Sequence, residues 1–251
     1  MNNLELERIL NQKLNAQAIN DYAPNGLQVE GKQEIKKIIT GVTASLALIE
    51  YAAQQQADAL LVHHGYFWKS ENPCIRGMKG KRIKALLNNN INLYAYHLPV
   101  DVHPELGNNA KLAELLGIVD LQPLENGSNS IPMFGKMQEP ITAAQFADNI
   151  ERVLQRKPLI CTENGPHFIQ TIGICSGGGQ GYIDLAAARG LDAFITGEVS
   201  EQTIHSAREQ GLHFFAAGHH ATERYGIKAL GEWLVANYDV EVEFKDIDNP
   251  A

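Results

Sequence analysis

The order of apolar segments in this sequence predicts an α/β protein of two similar halves related by a pseudo-twofold, with largely parallel sheets flanked by helices. Three observations carry that expectation. Short apolar runs of strand length alternate with stretches whose apolar residues recur at helical spacing, the rhythm of βαβ units. Segments of the first half recur in the second at two closely related offsets. At 251 residues and 44% apolar side chains, the chain can also bury a substantial core.

Taken in order, residues 3–15 form an amphipathic helix, with Leu6, Ile9, Leu10 and Leu14 on one face and Asn2 or Asn3 as its cap. Residues 21–32 contain Pro24-Asn25-Gly26, a turn, and read as a loop. A strand over 35–43, a helix over 46–55 and a second strand over 57–62 follow, the last ending in His63-His64-Gly65. A helix over 80–89, a strand over 91–96 and a helix over 108–116 finish the first half. Residues 117–167, punctuated by Pro123, Gly127, Pro132 and Pro140, hold one clear helix over 143–154, capped by Thr142, and read as a connector. The rhythm then resumes with a strand over 168–175, a glycine turn over 176–181, a helix over 182–189 and a strand over 193–196. A helix over 202–210, a strand over 212–217, a long helix opening near His220 and a strand over 240–244 complete the chain. The whole is one unit with halves at about 1–125 and 126–251.

The repeat is visible in residues. Ala57-Asp58-Ala59-Leu60-Leu61-Val62 aligns with Leu191-Asp192-Ala193-Phe194-Ile195-Thr196 at an offset of 134, which also sets His63-His64 against Gly197-Glu198. Farther on, an offset of 122 pairs Ala95-Tyr96-His97 with Ala217-Gly218-His219, and Asp101 with Glu223. The 12 residues lost between the two offsets fit a longer loop over 66–79. A histidine followed four residues later by a carboxylate therefore occurs after the corresponding strand of each half.

Charge and cysteine usage narrow the function classes. A net charge of -8 argues against a general binder of nucleic acid or anionic membrane. Cys74, Cys161 and Cys175 form no CxxC pair and are odd in number, so they read as thiols of a reducing compartment. The opening residues lack the basic and apolar regions of a signal peptide, and no apolar run approaches membrane-spanning length. A cytoplasmic location is the expectation.

Six of the nine histidines fall in three tight groups, His63/His64, His97/His103 and His219/His220. Ligands of open α/β sheets gather beyond the carboxyl ends of the strands, where residues 63–64, 97–101 and 219–223 all lie. A single histidine at a strand end is most often structural; three such groups with carboxylates point to metal. The mixed nitrogen and oxygen donors suit zinc, iron, manganese or nickel. They exceed what one catalytic zinc requires, so two divalent metal ions fit better, with Glu223 or Asp101 as bridge. A two-metal site activates water and clamps an oxyanion. Adjacent His63 and His64 would point to opposite faces of a regular strand, or the strand ends between them.

Other candidates compete with plainer readings. The glycine turn over 176–181 could cradle phosphate on its amides, or be a tight turn only. Lys69, Arg76, Lys79, Lys81, Arg82 and Lys84 against a single acid, Glu71, form a local positive segment for a small anionic substrate, or a solvated helix start. Phe67-Trp68 reads as packing or as a base-stacking pair. His205 and His213 read as surface or core residues, and His103 as loop.

At these residues the chain resembles the Nif-three-like dinuclear-metal family, also called GTP cyclohydrolase I type 2, in its short bacterial form. The matching stretches are 21–31, Val62-His63-His64-Gly65, Tyr96-His97-Leu98-Pro99-Val100-Asp101, 175–179, Ile195-Thr196-Gly197-Glu198 and, most specifically, 218–223. The likeness covers essentially the whole chain. It implies a dinuclear centre between the halves with His63, His64, Asp101, His219 and Glu223 as ligands, in a toroidal homohexamer whose sites face an interior cavity. His97 is not a ligand in that pattern, although the repeat pairs it with His219; it is assigned to the surroundings of the metals or to proton transfer. The implied activity is hydrolysis of a purine nucleotide, GTP giving formate and dihydroneopterin triphosphate. The alternatives are a hydrolase of damaged nucleotides or phosphate esters, and a non-enzymatic metal-binding or metal-delivery protein. A ring-shaped DNA-associated protein is disfavoured by the net charge.

Overall fold

Apolar runs with no polar alternation must be covered on both faces, and this chain places them as inner parallel strands. In the computed structural model, residues 1–126 and 130–251 are described. Gly127, one of the punctuating residues named above, lies outside them. The elements are α1 (Asn3–Leu14), β1 (Gly26–Val29), β2 (Lys37–Thr43), α2 (Leu46–Gln54), β3 (Ala59–His64), α3 (Gly77–Asn88), β4 (Asn92–Ala95) and the short α4 (Leu98–Val102). They continue with α5 (Asn108–Leu116), β5 (Ile118–Pro123), β6 (Met133–Ile141), α6 (Ala143–Leu154), β7 (Leu159–Cys161), β8 (Ile169–Cys175), α7 (Ile183–Ala188) and β9 (Ala193–Thr196). The last are α8 (Glu201–Gln210), β10 (His213–Ala216), α9 (His219–Asn237) and β11 (Glu241–Phe244). None of the helices among the described residues is long and apolar enough to cross a membrane.

The chain forms two compact units, Met1–Val100 with Gly226–Asp248, and Asp101–Tyr225 with Asn249–Ala251. The division therefore falls at Val100 rather than near residue 125. The physical reason is strand pairing: β5 pairs with β6 and so belongs to the second unit, while β11 pairs in parallel with β2 and belongs to the first.

The first unit holds a sheet of order β1-β4-β3-β2-β11, parallel except for β1. β1 lies in the stretch expected to be a loop. Its four residues are too few to show alternation, and the Pro24-Asn25-Gly26 turn directly before it hides it. Gly26 has φ +118, and a side chain there would meet Glu7, whose Oε1 accepts from Leu27 N at 2.9 Å. Helix α1 carries the expected cap, Asn2 accepting from Leu4 N, and buries Leu6, Ile9, Leu10 and Leu14. A core of Ile39, Leu48, Leu60, Val62, Leu86 and Leu93 joins α2 and α3 to one face of the sheet.

The second unit holds a sheet of order β5-β6-β8-β9-β10-β7, with parallel pairing only among β8, β9 and β10. Three of its strands come from the stretch expected to be a connector. β6 was hard to read because most of its residues are partly or wholly exposed and it contains Pro140, tolerated where the register shifts between Lys136 and Ile141. Helix α6 is capped as expected, Thr142 and Gln145 forming a reciprocal capping box. Phe146, Ile150, Ile172, Ile174, Ile195 and Phe215 fill its core on one face.

Strand registers sharpen the repeat. Ile38 pairs with Ala59 and Ile172 with Ala193, an offset of 134 in both strands. Ala59 pairs with Asn92 and Ala193 with His213, so the third strand repeats at 121, one less than the sequence alignment gave. Each third strand is then flanked by an antiparallel edge strand from upstream in the chain, β1 beside β4 and β7 beside β10.

Candidate metal centre

In the first unit, His63 and His64 end β3 and His97 follows β4, so parallel pairing of the two strands brings all three imidazoles together. The ring centroids of His63 and His64 lie 4.5 Å apart, and those of His63 and His97 5.1 Å apart. One nitrogen from each ring lies within 4.8 Å of the other two. The expectation that His63 and His64 point to opposite faces is not met. The strand includes both, and the Nδ1 of its last residue, His64, lies 3.1 Å from Oγ1 of Thr43 on the neighbouring strand.

The backbone decides which nitrogen of His63 is the donor. Its Nδ1 lies 3.0 Å from Tyr96 O, and a carbonyl only accepts, so the proton sits on Nδ1 and the lone pair is left on Nε2. His97 is fixed by two residues that sequence reasoning left in a loop. Asp21 Oδ1 lies 2.9 Å from His97 Nδ1, and Asp21 Oδ2 accepts from Leu98 N at 2.9 Å and Asn25 Nδ2 at 3.0 Å. Asn25 Oδ1 accepts from His97 N at 2.8 Å. Burial alone would raise Asp21, but the His97 and Asn25 hydrogen bonds outweigh it and hold its carboxyl down at about 2. The signal that could have found this pair is a carboxylate and an amide bracketing Pro24 in a polar loop.

The second unit presents carboxylates. His219 and Glu223 share the first turns of α9, four residues apart, with His219 Nε2 3.2 Å from Glu223 Oε2. His219 Nδ1 lies 2.7 Å from Glu198 Oε1, an orienting carboxylate that sequence reasoning placed in a matching stretch without a role. Burial would lower His219, yet its bonds to Glu223 and Glu198 raise the ring to about 9. Asp101, in α4, is buried, and its Oδ1 accepts from Asn108 Nδ2 at 2.8 Å and Ser176 Oγ at 3.1 Å.

The glycine turn serves the carboxylate rather than a phosphate. Gly177 has φ +63, and a Cβ there would sit 2.1 Å from Glu223 Oε1 and 3.1 Å from His219 Nε2. Its amide, with those of Ser176 and Gly179, is spent on Thr222 Oγ1, Asn109 Oδ1 and Thr196 Oγ1. Cys175 stays a thiol, its pKa pushed up by burial and by Asp101 and Glu223. At the start of α9, His220 N donates to Ala251 O at 3.3 Å, and Arg156 donates to Pro250 O.

The remaining candidates separate. Lys79 is buried, donating to Asn72 O at 2.9 Å, 3.4 Å from Glu71 and 5.0 Å over the Phe67 ring, so it is committed to its own loop. Lys69, Arg76, Lys81 and Lys84 are exposed and Arg82 is half-buried. His103 accepts from Glu105 and Leu106 amides, His205 pairs with Glu201 on an exposed face, and buried His213 lies 2.7 Å from Pro166 O.

The donor chemistry of both groups fits a divalent metal: imidazoles turned by a carbonyl or a carboxylate, and buried carboxylates kept clear by a glycine. The model of the Duf34/NIF3 (NGG1p interacting factor 3) family matches residues 1–250. A protein of Pasteurella multocida (strain Pm70) called GTP cyclohydrolase 1 type 2 homolog is 78% identical over all of both chains. A protein of the same name from Escherichia coli (strain K12) is 61% identical, again over all of both chains. A solved structure described as protein ybgI, of unknown function, superposes with a TM-score of 0.97 at 60% identity and covers both chains fully. Matched from end to end in sequence and in fold, the chain belongs to the Duf34/NIF3 family.

Proposed function

We propose that this chain is a dinuclear-metal hydrolase acting on a purine nucleotide, with GTP as substrate and formate and dihydroneopterin triphosphate as products. His63, His64, Asp101, His219 and Glu223 would hold the two ions. The observation that carries the reading is the orientation of the imidazoles: His63 and His219 each direct Nδ1 to an acceptor, which leaves Nε2 as the coordinating nitrogen. When bound, such ions supply Lewis acidity and activated water.

The protein's own groups supply the rest. Asp21 fixes His97 with Nδ1 protonated, so Nε2 is the atom that can take or return a proton at the imidazole ring of the substrate. Lys69, Arg76, Lys81 and Arg82 would meet the triphosphate, and Lys79 would hold the loop that carries Lys69. As the resemblance implies, the chain would act as a toroidal homohexamer, seen by light scattering as a mass about six times 27.6 kDa.

The test is metal analysis of the purified chain followed by formate assay with GTP. Formate release with about two ions per chain is the expected result. Retained metal with no formate would overturn GTP as substrate; release from a panel of damaged nucleotides or phosphate esters would then identify the alternative. Metal that exchanges freely with no turnover of any substrate would favour a metal-delivery role.

A further inference from the structure

The large fully buried aromatics, Tyr94, Tyr96, Phe146, Phe194, Phe214 and Phe215, account for core packing. Two others do not. Tyr22 is 53% exposed and Trp68 is half-buried, yet their ring centroids lie 5.7 Å apart with planes only 37° off parallel. Both stand 4.9 Å from His97, meeting it edge to face at 73° and 80°, and Trp68 lies 6.0 Å from His64. An aromatic ledge thus borders the imidazoles of the first unit while remaining partly open to solvent.

The loop is built to hold this ledge in place. Phe67 has φ +65, a strained conformation for a bulky non-glycine residue, and it turns the chain immediately before Trp68. Glu71 Oε2 accepts from Phe67 N at 2.7 Å and Trp68 N at 3.3 Å, and buried Lys79 is anchored beside that carboxylate. Lys69 N donates to Tyr22 O at 2.9 Å, tying the two ring-bearing loops together. A hydrophobic contact made only for packing needs neither backbone strain nor a clamp of a carboxylate on a buried lysine. The residue after the indole is an exposed cation, Lys69, with Arg76 and Lys81 exposed farther along the segment. A stacking surface beside a cation selects a planar nitrogen heterocycle carrying an anionic tail.

We propose that Trp68 and Tyr22 form a base-stacking ledge that positions the nucleobase of a nucleotide beside His64 and His97, with the phosphates directed toward Lys69. The inference rests on the nucleotide reading above but concerns recognition, not turnover. It makes Trp68 a positioning residue whose loss weakens binding of the base and leaves affinity for the phosphates unchanged.

The experiment uses the full chain in a Trp233→Phe background, which leaves Trp68 as the only indole, since the sequence has two tryptophans. GTP is expected to quench Trp68 emission and inorganic tripolyphosphate is not. By calorimetry, Trp68→Ala and Tyr22→Ala should weaken GTP binding by roughly tenfold or more, and Trp68→Phe by less than about threefold, following the 1–3 kcal/mol typical of base–aromatic stacking. Tripolyphosphate affinity should be the same in all variants. If Trp68→Ala does not fold, the quenching measurement and the Trp68→Phe comparison still decide the matter. Equal quenching by tripolyphosphate, no binding of GTP, or GTP affinity unaltered in folded Trp68→Ala would each overturn the ledge. Formate is assayed in the same samples: quenching without formate keeps the ledge and sinks the GTP reaction, whereas formate without quenching does the reverse.

Discussion

The two histidine groups are built on the same strand scaffold and solve opposite problems. In the first unit, three imidazoles cluster at the ends of β3 and β4, and the groups orienting His63 and His64, Tyr96 O and Thr43 Oγ1, are neutral. In the second unit a single imidazole is held between two carboxylates, Glu198 and Glu223, at the first turns of α9. The first is an array of imidazole nitrogens, and the second concentrates carboxylates in a buried place. The difference teaches that the repeat preserved backbone register, 134 residues from β2–β3 to β8–β9, while the side chains beyond it diverged.

Breaking the anionic side should have the largest effect. Glu223→Ala is expected to strip most of the metal, whereas His97→Ala should cost no more than the roughly 10- to 100-fold in affinity typical of a supporting group. Elemental analysis of both variants checks the ordering, and equal metal content would refute it. Next comes Gly177→Ala, which forces a Cβ against Glu223 at a left-handed position. It should cost about 1–3 kcal/mol in thermal or denaturant unfolding and lower metal retention as well. A wild-type melting curve with full metal would show that the carboxylate can move aside.

On the histidine side, Asp21→Asn probes the clamp on His97. The Asp21 carboxyl sits below its ordinary value of 3.8, at about 2, so its stabilisation is complete above about pH 4 and is lost as pH falls through 2. The variant should lose on the order of 2 kcal/mol near neutrality and converge with the wild type in acid. Parallel acid-unfolding curves would mean that the clamp contributes nothing. The smallest effect is expected at His219. Its raised pKa of about 9 means that, in the metal-free chain, its stabilisation is complete below pH 6.5 and fades as pH rises through 9. Metal must displace that proton, so apparent metal affinity should climb over the same window. A flat titration of metal affinity between pH 6.5 and 9 would contradict it.

The sequence exposed what residue type and strand ends reveal together. His63, His64, Asp101, His219 and Glu223 stood at strand ends, and His97 four residues before Asp101. It hid what depends on distant pairing. Asp21 reaches His97 across 76 positions, and the local pattern around Pro24 marks the aspartate without naming its partner. Gly177 looked like an ordinary turn because its clearance for Glu223 exists only once α9 is in place. Likewise β1 and β7 are edge strands of four and three residues, too short for periodicity to register. The one-residue slip in the third strand's offset was invisible for a related reason: alanines at 216 and 217 match Ala95 equally well.

The contacts of residues 250–251 have a practical consequence for handling the protein. Because Ala251 O receives the amide of His220 and Pro250 O receives Arg156, the last residues brace the turn that carries His219. Deleting residues 250–251 would remove that brace. The amino end is tied as well, Met1 donating to Ile35 O at 2.8 Å, but in the other unit. Preparations meant for metal quantification should therefore keep residues 250–251, with their presence checked by intact mass.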